Sequence, residues 1–175
     1  KSALAMAALG EAARQGFLCL AGECVSYRSA SGYLVWRPVL RGLLGLDPAW
    51  AAERQIRHLE ARLGALDARL ARLLPLLGPI LGLRIDDSPV TAGLEGEARK
   101  AATEALVCDL VARAPAPVAI VLEGCDWIDP LARDLLLALA RRAAALPALI
   151  VLTYRGAPDE REDWAAPLRA AGLHH

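Results

Sequence analysis

Apolar residues in this chain follow two different periods. Near the C-terminal third, Val118-Ala119-Ile120-Val121-Leu122 and Ala148-Leu149-Ile150-Val151-Leu152 are short runs with no polar alternation. Such runs suit strands buried on both faces, as in a parallel sheet, and the amphipathic stretch between them predicts the crossover helix. The strands are expected over residues 118–122 and 148–153. Upstream, residues 3–14 carry apolar positions at helical spacing, and Gly16 can end that helix. Residues 17–20 read as a short strand and 22–32 as a polar loop. A helix is expected over 33–46, with a break near Pro38.

Asp47-Pro48 supplies the residue types of a helix N-cap and first turn. Beyond it, Ile56, Leu59, Leu63, Leu66, Leu70, Leu73 and Leu77 alternate at spacings of three and four. A seam of this kind can dimerise as a coiled coil. Gly64 interrupts it and Pro75 ends it, which favours two helices packing an apolar stripe on their own domain. Arg54, Arg57, Arg62, Arg69 and Arg72 then form a solvated face, interspersed with Glu53, Glu60 and Asp67. His58 lies among these charged positions and is expected to face solvent. Residues 82–96 read as a loop, with Asp86-Asp87 in a surface turn, and 95–113 as a helix. Ala114-Pro115-Ala116-Pro117 is a short stiff linker. After the last strand, residues 156–158 turn the chain and 160–171 form a final helix.

Two parallel strands joined by a helix put their C-terminal ends on one sheet edge, where open α/β folds bind ligands. Glu123, Asp126 and Asp129 follow the first strand, and Thr153, Tyr154 and Arg155 end the second. Acids beside an arginine suit a magnesium-bound phosphate chain. Lys1-Ser2 opens directly into a helix pattern, as the last two residues of a phosphate-binding glycine loop do.

The 175 residues suffice for about one domain with a sizeable core. Acidic and basic residues balance at 20 each, so bulk charge points to neither nucleic acid nor an anionic membrane. No apolar run reaches the ~18 residues that read as a membrane span. Cys19, Cys24, Cys108 and Cys125 form no CxxC pair and sit in apolar surroundings, which suits buried reduced thiols and a cytoplasmic setting.

In this order, the blocks resemble the P-loop ATPase module of the AAA/STAND type found beside adenylate or guanylate cyclase domains and in large LuxR-type regulators. The resemblance rests on Lys1-Ser2, Gly22-Glu23-Cys24-Val25-Ser26-Tyr27, and Tyr33-Leu34-Val35-Trp36-Arg37-Pro38-Val39-Leu40. It continues through Leu73-Leu74-Pro75-Leu76-Leu77-Gly78, Leu122-Glu123-Gly124-Cys125-Asp126-Trp127-Ile128-Asp129-Pro130, and Leu152-Thr153-Tyr154-Arg155. It covers roughly residues 1 to 158, with a helical insert over about 33–113, and leaves 159–175 as the start of a following helical region or tail.

The resemblance implies a P-loop NTPase-like α/β fold, a parallel sheet flanked by helices. It also implies that the chain starts at the lysine of the glycine loop, so that the strand and glycines before it are missing. That strand is expected between the two apolar strands described first; without it they either close on each other or leave backbone groups unpaired, and a marginal fold and weak nucleotide binding are expected. ATP and Mg2+ are the implied cofactors, with nucleotide and attached or partner signalling domains as partners, oligomers among the options, and no membrane or direct nucleic-acid contact. Lys1 would lie on the phosphates, with Ser2 and Glu123 on magnesium. Asp126 would polarise the attacking water, while Arg155 and its weaker neighbour Thr153 would meet the γ-phosphate.

Each assignment has a plainer counterpart. Lys1 could be merely an exposed terminal residue, Glu123 a surface acid, Asp126 a turn cap and Arg155 the partner of a loop acid. Asp129 before Pro130 suits a helix N-cap better than a metal ligand, and Trp127 suits packing. The family's second acid is Gly124 here, which puts hydrolysis in more doubt than binding. The expected function is an ATP-binding regulatory module of a larger signalling protein such as a nucleotide cyclase or transcriptional regulator, with ATP hydrolysis left open. The alternative is a degenerate α/β scaffold that binds a partner through its leucine-rich helices.

Overall fold

A computed structural model of the chain describes residues 2–24 and 32–154. Helix α1 (Ser2–Arg14) leads through a short turn into strand β1 (Leu18–Glu23). Helices α2 (Trp36–Leu44), α3 (Ala52–Leu66) and α4 (Ala68–Arg72) follow. A 3-10 turn (Leu74–Leu77) and the short α5 (Gly78–Leu81) precede the long α6 (Gly96–Ala112). Strand β2 (Val118–Glu123), α7 (Pro130–Arg141) and strand β3 (Ala148–Leu152) complete the described architecture.

The three strands form one parallel sheet in the order β1-β2-β3. This is the α/β fold expected from the apolar runs. An upstream strand is expected between β2 and β3, and without it the two are expected either to close on each other or to leave backbone groups unpaired; they close on each other, Val118–Leu122 pairing residue for residue with Ala148–Leu152. Every residue of β2 up to Leu122 is buried, which is why its sequence shows no alternation.

The two sheet faces are covered differently. Val118, Ile120 and Leu122 join the large core built with α2 to α7. Ala119 and Val121 meet Ala5, Leu9 and Ala12 of α1 on the other face. Small residues on α1 allow its backbone a close approach to the strands. Trp36 is fully buried, and its indole N–H donates to the Ala132 carbonyl at 3.0 Å, fixing α2 against the start of α7. Such a donor needs a partner when buried.

The leucine seam is spent inside the chain. Leu59, Leu63, Leu70 and Leu77 are buried, and Ile56 and Leu73 pack partly against the same core. Arg54, Arg57, Arg69 and Arg72 are exposed on the opposite side, as the charge pattern predicts, with Arg54 stacked over the Trp50 ring at 4.3 Å. Gly64 lies within α3 without interrupting it; the break falls at Asp67, whose side chain caps α4 by accepting the Arg69 N–H.

Four local expectations are corrected. Pro38 does not break α2, because it falls in the first turn, where its missing N–H is not required. Asp47 does not cap α3. It accepts the Ala49 N–H at 2.8 Å in a local turn, and α3 starts later, after Ala51. His58 does not face solvent; it is half-buried, packs edge-on against Trp50, and holds its Nε2 3.0 Å from the Leu44 carbonyl oxygen. Finally, β1 runs on through Gly22 and Glu23, expected to be loop. Gly22 permits this because a Cβ there would stand 2.1 Å from the Val35 carbonyl oxygen. Asp87 does occupy a surface turn, held by the Thr91 hydroxyl and the Arg99 guanidinium, each at 2.8 Å. The expected turn at 156–158 and helix at 160–171 lie outside the described residues.

Candidate active site

The C-terminal ends of the strands collect most of the candidate chemistry. Glu123 ends β2 and is half-buried, with Glu23 of β1 directly beside it in register. Glu23 is exposed, and the sequence reading did not single it out. Only the register of the parallel pair brings the two carboxylates together, and no local motif encodes that register.

Gly124 follows in the left-handed region at φ 66°, and a Cβ at this position would meet the Cys24 carbonyl oxygen at 3.0 Å. Backbone and space both disfavour a side chain here. That is a physical reason for the absence of the second acid. The chain then makes a single 3-10 turn (Cys125–Trp127) that presents Asp126 and Trp127 on the surface. Trp127 is exposed, contrary to a packing role.

Thr153 ties this turn to the end of β3. Its N–H donates to the Leu122 carbonyl at 2.9 Å, and its own carbonyl accepts the Cys125 N–H at 2.9 Å. Its hydroxyl accepts the Gly124 N–H at 3.3 Å. Thr153 therefore acts as a structural clasp in this arrangement. Arg155 lies outside the described residues.

Asp129 caps α7, accepting the Ala132 N–H at 2.9 Å ahead of Pro130. The expected N-cap is present. The same carboxylate also accepts the Tyr33 N–H, at 3.1 Å to one oxygen. Behind it lies a charged group linking α6 and α7. Lys100 pairs with Asp134 at 2.8 Å and with Glu97 at 3.4 Å, and Glu104 stands 4.0 Å away. Its bond to Asp134 holds the Lys100 ammonium above the ordinary lysine range. Burial raises Glu104 and, with help from Glu104, Tyr33.

Two thiols share the same edge. Cys24 and Cys125 are hydrogen-bonded to each other. That bond holds Cys24 below the ordinary cysteine range, against its burial and the charges of Asp129, Asp126 and Glu23. Cys125 is pushed well above that range by the same bond and by burial.

Helix α1 brings its N-terminal end to this edge. Its C-terminal end connects through residues 15–17 to the start of β1, and it packs on β1 and β2, so it runs back against the strand direction. Ser2 is its first residue, and Lys1 lies outside the described residues. The unpaired N–H groups of a helix start carry about +0.5 of an elementary charge, which suits an anion.

A family model for the AAA ATPase domain matches residues 1–152. The chain belongs to the AAA ATPase domain family. No curated protein and no solved structure was found to match it. As an AAA ATPase domain, the chain is a P-loop-type, nucleotide-binding α/β module. Among the described residues, no group of three or more His, Cys, Asp or Glu side chains could hold a metal ion by itself. Among the described residues, no helix is long and apolar enough to cross a membrane.

Proposed function

We propose that this AAA ATPase domain binds ATP with Mg2+ and hydrolyses it as the regulatory module of a larger signalling protein, in a STAND-type arrangement. The observation that carries the reading is the convergence of the α1 N-terminus, Glu123 and the clasped Asp126 turn on one sheet edge. When bound, magnesium would neutralise charge building on the phosphate oxygens. Lys1 and the first N–H groups of α1 bind the phosphates. Ser2 and Glu123 would hold the metal. Asp126 takes the part of the missing second carboxylate and orients the attacking water. Thr153 fixes the loop that carries Asp126, and Arg155 reads the γ-phosphate, so ATP and ADP states differ at the end of β3.

The scaffold alternative is weakened by the fold, because Leu59, Leu63, Leu70 and Leu77 are buried in the domain's own core. They offer no ready docking face.

The test is calorimetric titration of the full-length protein with ATP, with and without Mg2+, beside the Lys1→Ala, Glu123→Gln and Asp126→Asn variants. Binding should be lost in Lys1→Ala, lose its magnesium dependence in Glu123→Gln, and survive in Asp126→Asn with turnover abolished. A folded protein that binds no nucleotide overturns the reading.

A further inference from the structure

Cys24 and Cys125 lie 101 positions apart, and the sheet buries both in one core cluster at the ends of β1 and β2. Cys24 follows β1, and its N–H donates to the Glu123 carbonyl at 2.8 Å, which extends the β1–β2 ladder one step past the strand ends. Gly124 turns the β2 chain back over the Cys24 carbonyl. Cys125 is then fixed from three directions. Its N–H donates to Thr153, the following turn closes with the Ile128 N–H on its carbonyl, and its thiol reaches the Leu122 carbonyl at 3.3 Å. Both thiols belong to the same buried core cluster. Cys125 is fully buried and Cys24 is 8 % exposed, so a small reagent arriving from solvent meets Cys24 first.

We propose that Cys24 and Cys125 are a modification site that a small hydroperoxide converts to an intramolecular disulfide. The Cys24 sulfur attacks the outer peroxide oxygen. The O–O bond breaks, an S–O bond forms, and the alcohol or water leaves with the Cys24 proton. The Cys125 sulfur then attacks the Cys24 sulfenic acid. The S–O bond breaks, the S–S bond forms, and hydroxide departs as water with the Cys125 proton. Two thiols and one hydroperoxide give one disulfide, one alcohol (or water) and one further water, and the peroxide is the electron acceptor.

The chemistry is favoured by position. A sulfenic acid beside a second thiol is trapped as a disulfide before further oxidation. Cys19 and Cys108 have no such neighbour among the described cysteines: Cys19 reaches only main-chain oxygens of Leu9 and Phe17, and Cys108 is buried on α6. The link would join the end of β1 to the turn that carries Asp126. The inference does not depend on what the site binds.

Intact mass and peptide mapping decide it. The native protein is treated with a small excess of hydrogen peroxide, quenched, and alkylated under denaturing conditions. The expected product is a monomer lighter by two hydrogens, with Cys24 and Cys125 in one cross-linked peptide, Cys19 and Cys108 alkylated, and full reversal by dithiothreitol. In Cys125→Ala, Cys24 should stop at the sulfenic acid and be captured by dimedone. If that variant does not fold, the wild-type map alone is decisive. A disulfide involving Cys19 or Cys108, a link between two molecules, or Cys24 carried to the sulfinic acid with no link would overturn the proposal.

Discussion

The Asp129 carboxylate accepts the backbone N–H of Tyr33 at 3.1 Å while capping α7 through the Ala132 N–H. Tyr33 holds φ 66°, the one positive φ of a non-glycine among the described residues. The contact spans 96 positions and seats the segment leading into α2 against the start of α7. Removing it should cost a cap and strand one main-chain donor. Asp129→Ala should lose about 2–3 kcal/mol, from ~1 for the cap and ~1–2 for the unsatisfied N–H. Asp129→Asn, which keeps an acceptor, should lose under about 1 kcal/mol. Urea denaturation of both variants measures the difference, and equal losses would refute the bridging role.

Truncating the leucine seam should destabilise the monomer rather than dissolve an assembly. Leu63 is fully buried, so Leu63→Ala should cost about 2–5 kcal/mol. Leu66 is partly exposed, and Leu66→Ala should cost under about 1 kcal/mol. Sedimentation velocity alongside denaturation distinguishes the cases. A change in oligomeric state with unchanged unfolding would revive the dimer seam.

Glu104 makes stability depend on pH in an identifiable direction. Burial raises its pKa above the ordinary value of 4.5. Between 4.5 and the raised value the folded protein binds more protons than the unfolded chain, so stability falls as pH rises through that window. Below 4.5 both states are protonated and the effect vanishes. Glu104→Gln should therefore flatten this part of the profile and gain on wild type toward neutral pH. Thermal melts across the acid range provide the check, and an unchanged profile would remove Glu104 as the cause.

Restoring the family's acid at position 124 should not help. Gly124→Asp must place a side chain at φ 66° against the Cys24 carbonyl. A loss of about 1–2 kcal/mol is expected from the left-handed backbone alone. ATP turnover should not rise above wild type. A stable, faster Gly124→Asp variant would show that Asp126 does not replace the missing carboxylate.

The sheet was legible because β2 and β3 carry continuous apolar runs, and buried parallel strands tolerate little else. The α7 cap was legible because Asp129-Pro130 is a local signal with a local cause. What the sequence concealed is set by tertiary contacts. Nothing beside His58 announces that Trp50 will cover it. The extension of β1 depends on Gly22 passing under Val35, thirteen positions away. The Glu23–Glu123 pair and the Cys24–Cys125 contact follow from strand register, which side-chain pattern alone leaves open when both faces are apolar.

The clasp of Thr153 on the Cys125 turn has a thermodynamic consequence. Two hydrogen bonds, from the Gly124 and Cys125 N–H groups to Thr153, fix the loop while the protein folds, beside the ladder bond from Thr153 to Leu122 of β2. Most of the entropy lost in ordering it is therefore settled before any ligand arrives, and association need not include that term. The same bonds make the Asp126 turn and Thr153 one mechanical unit. A displacement imposed on either is therefore shared by the other.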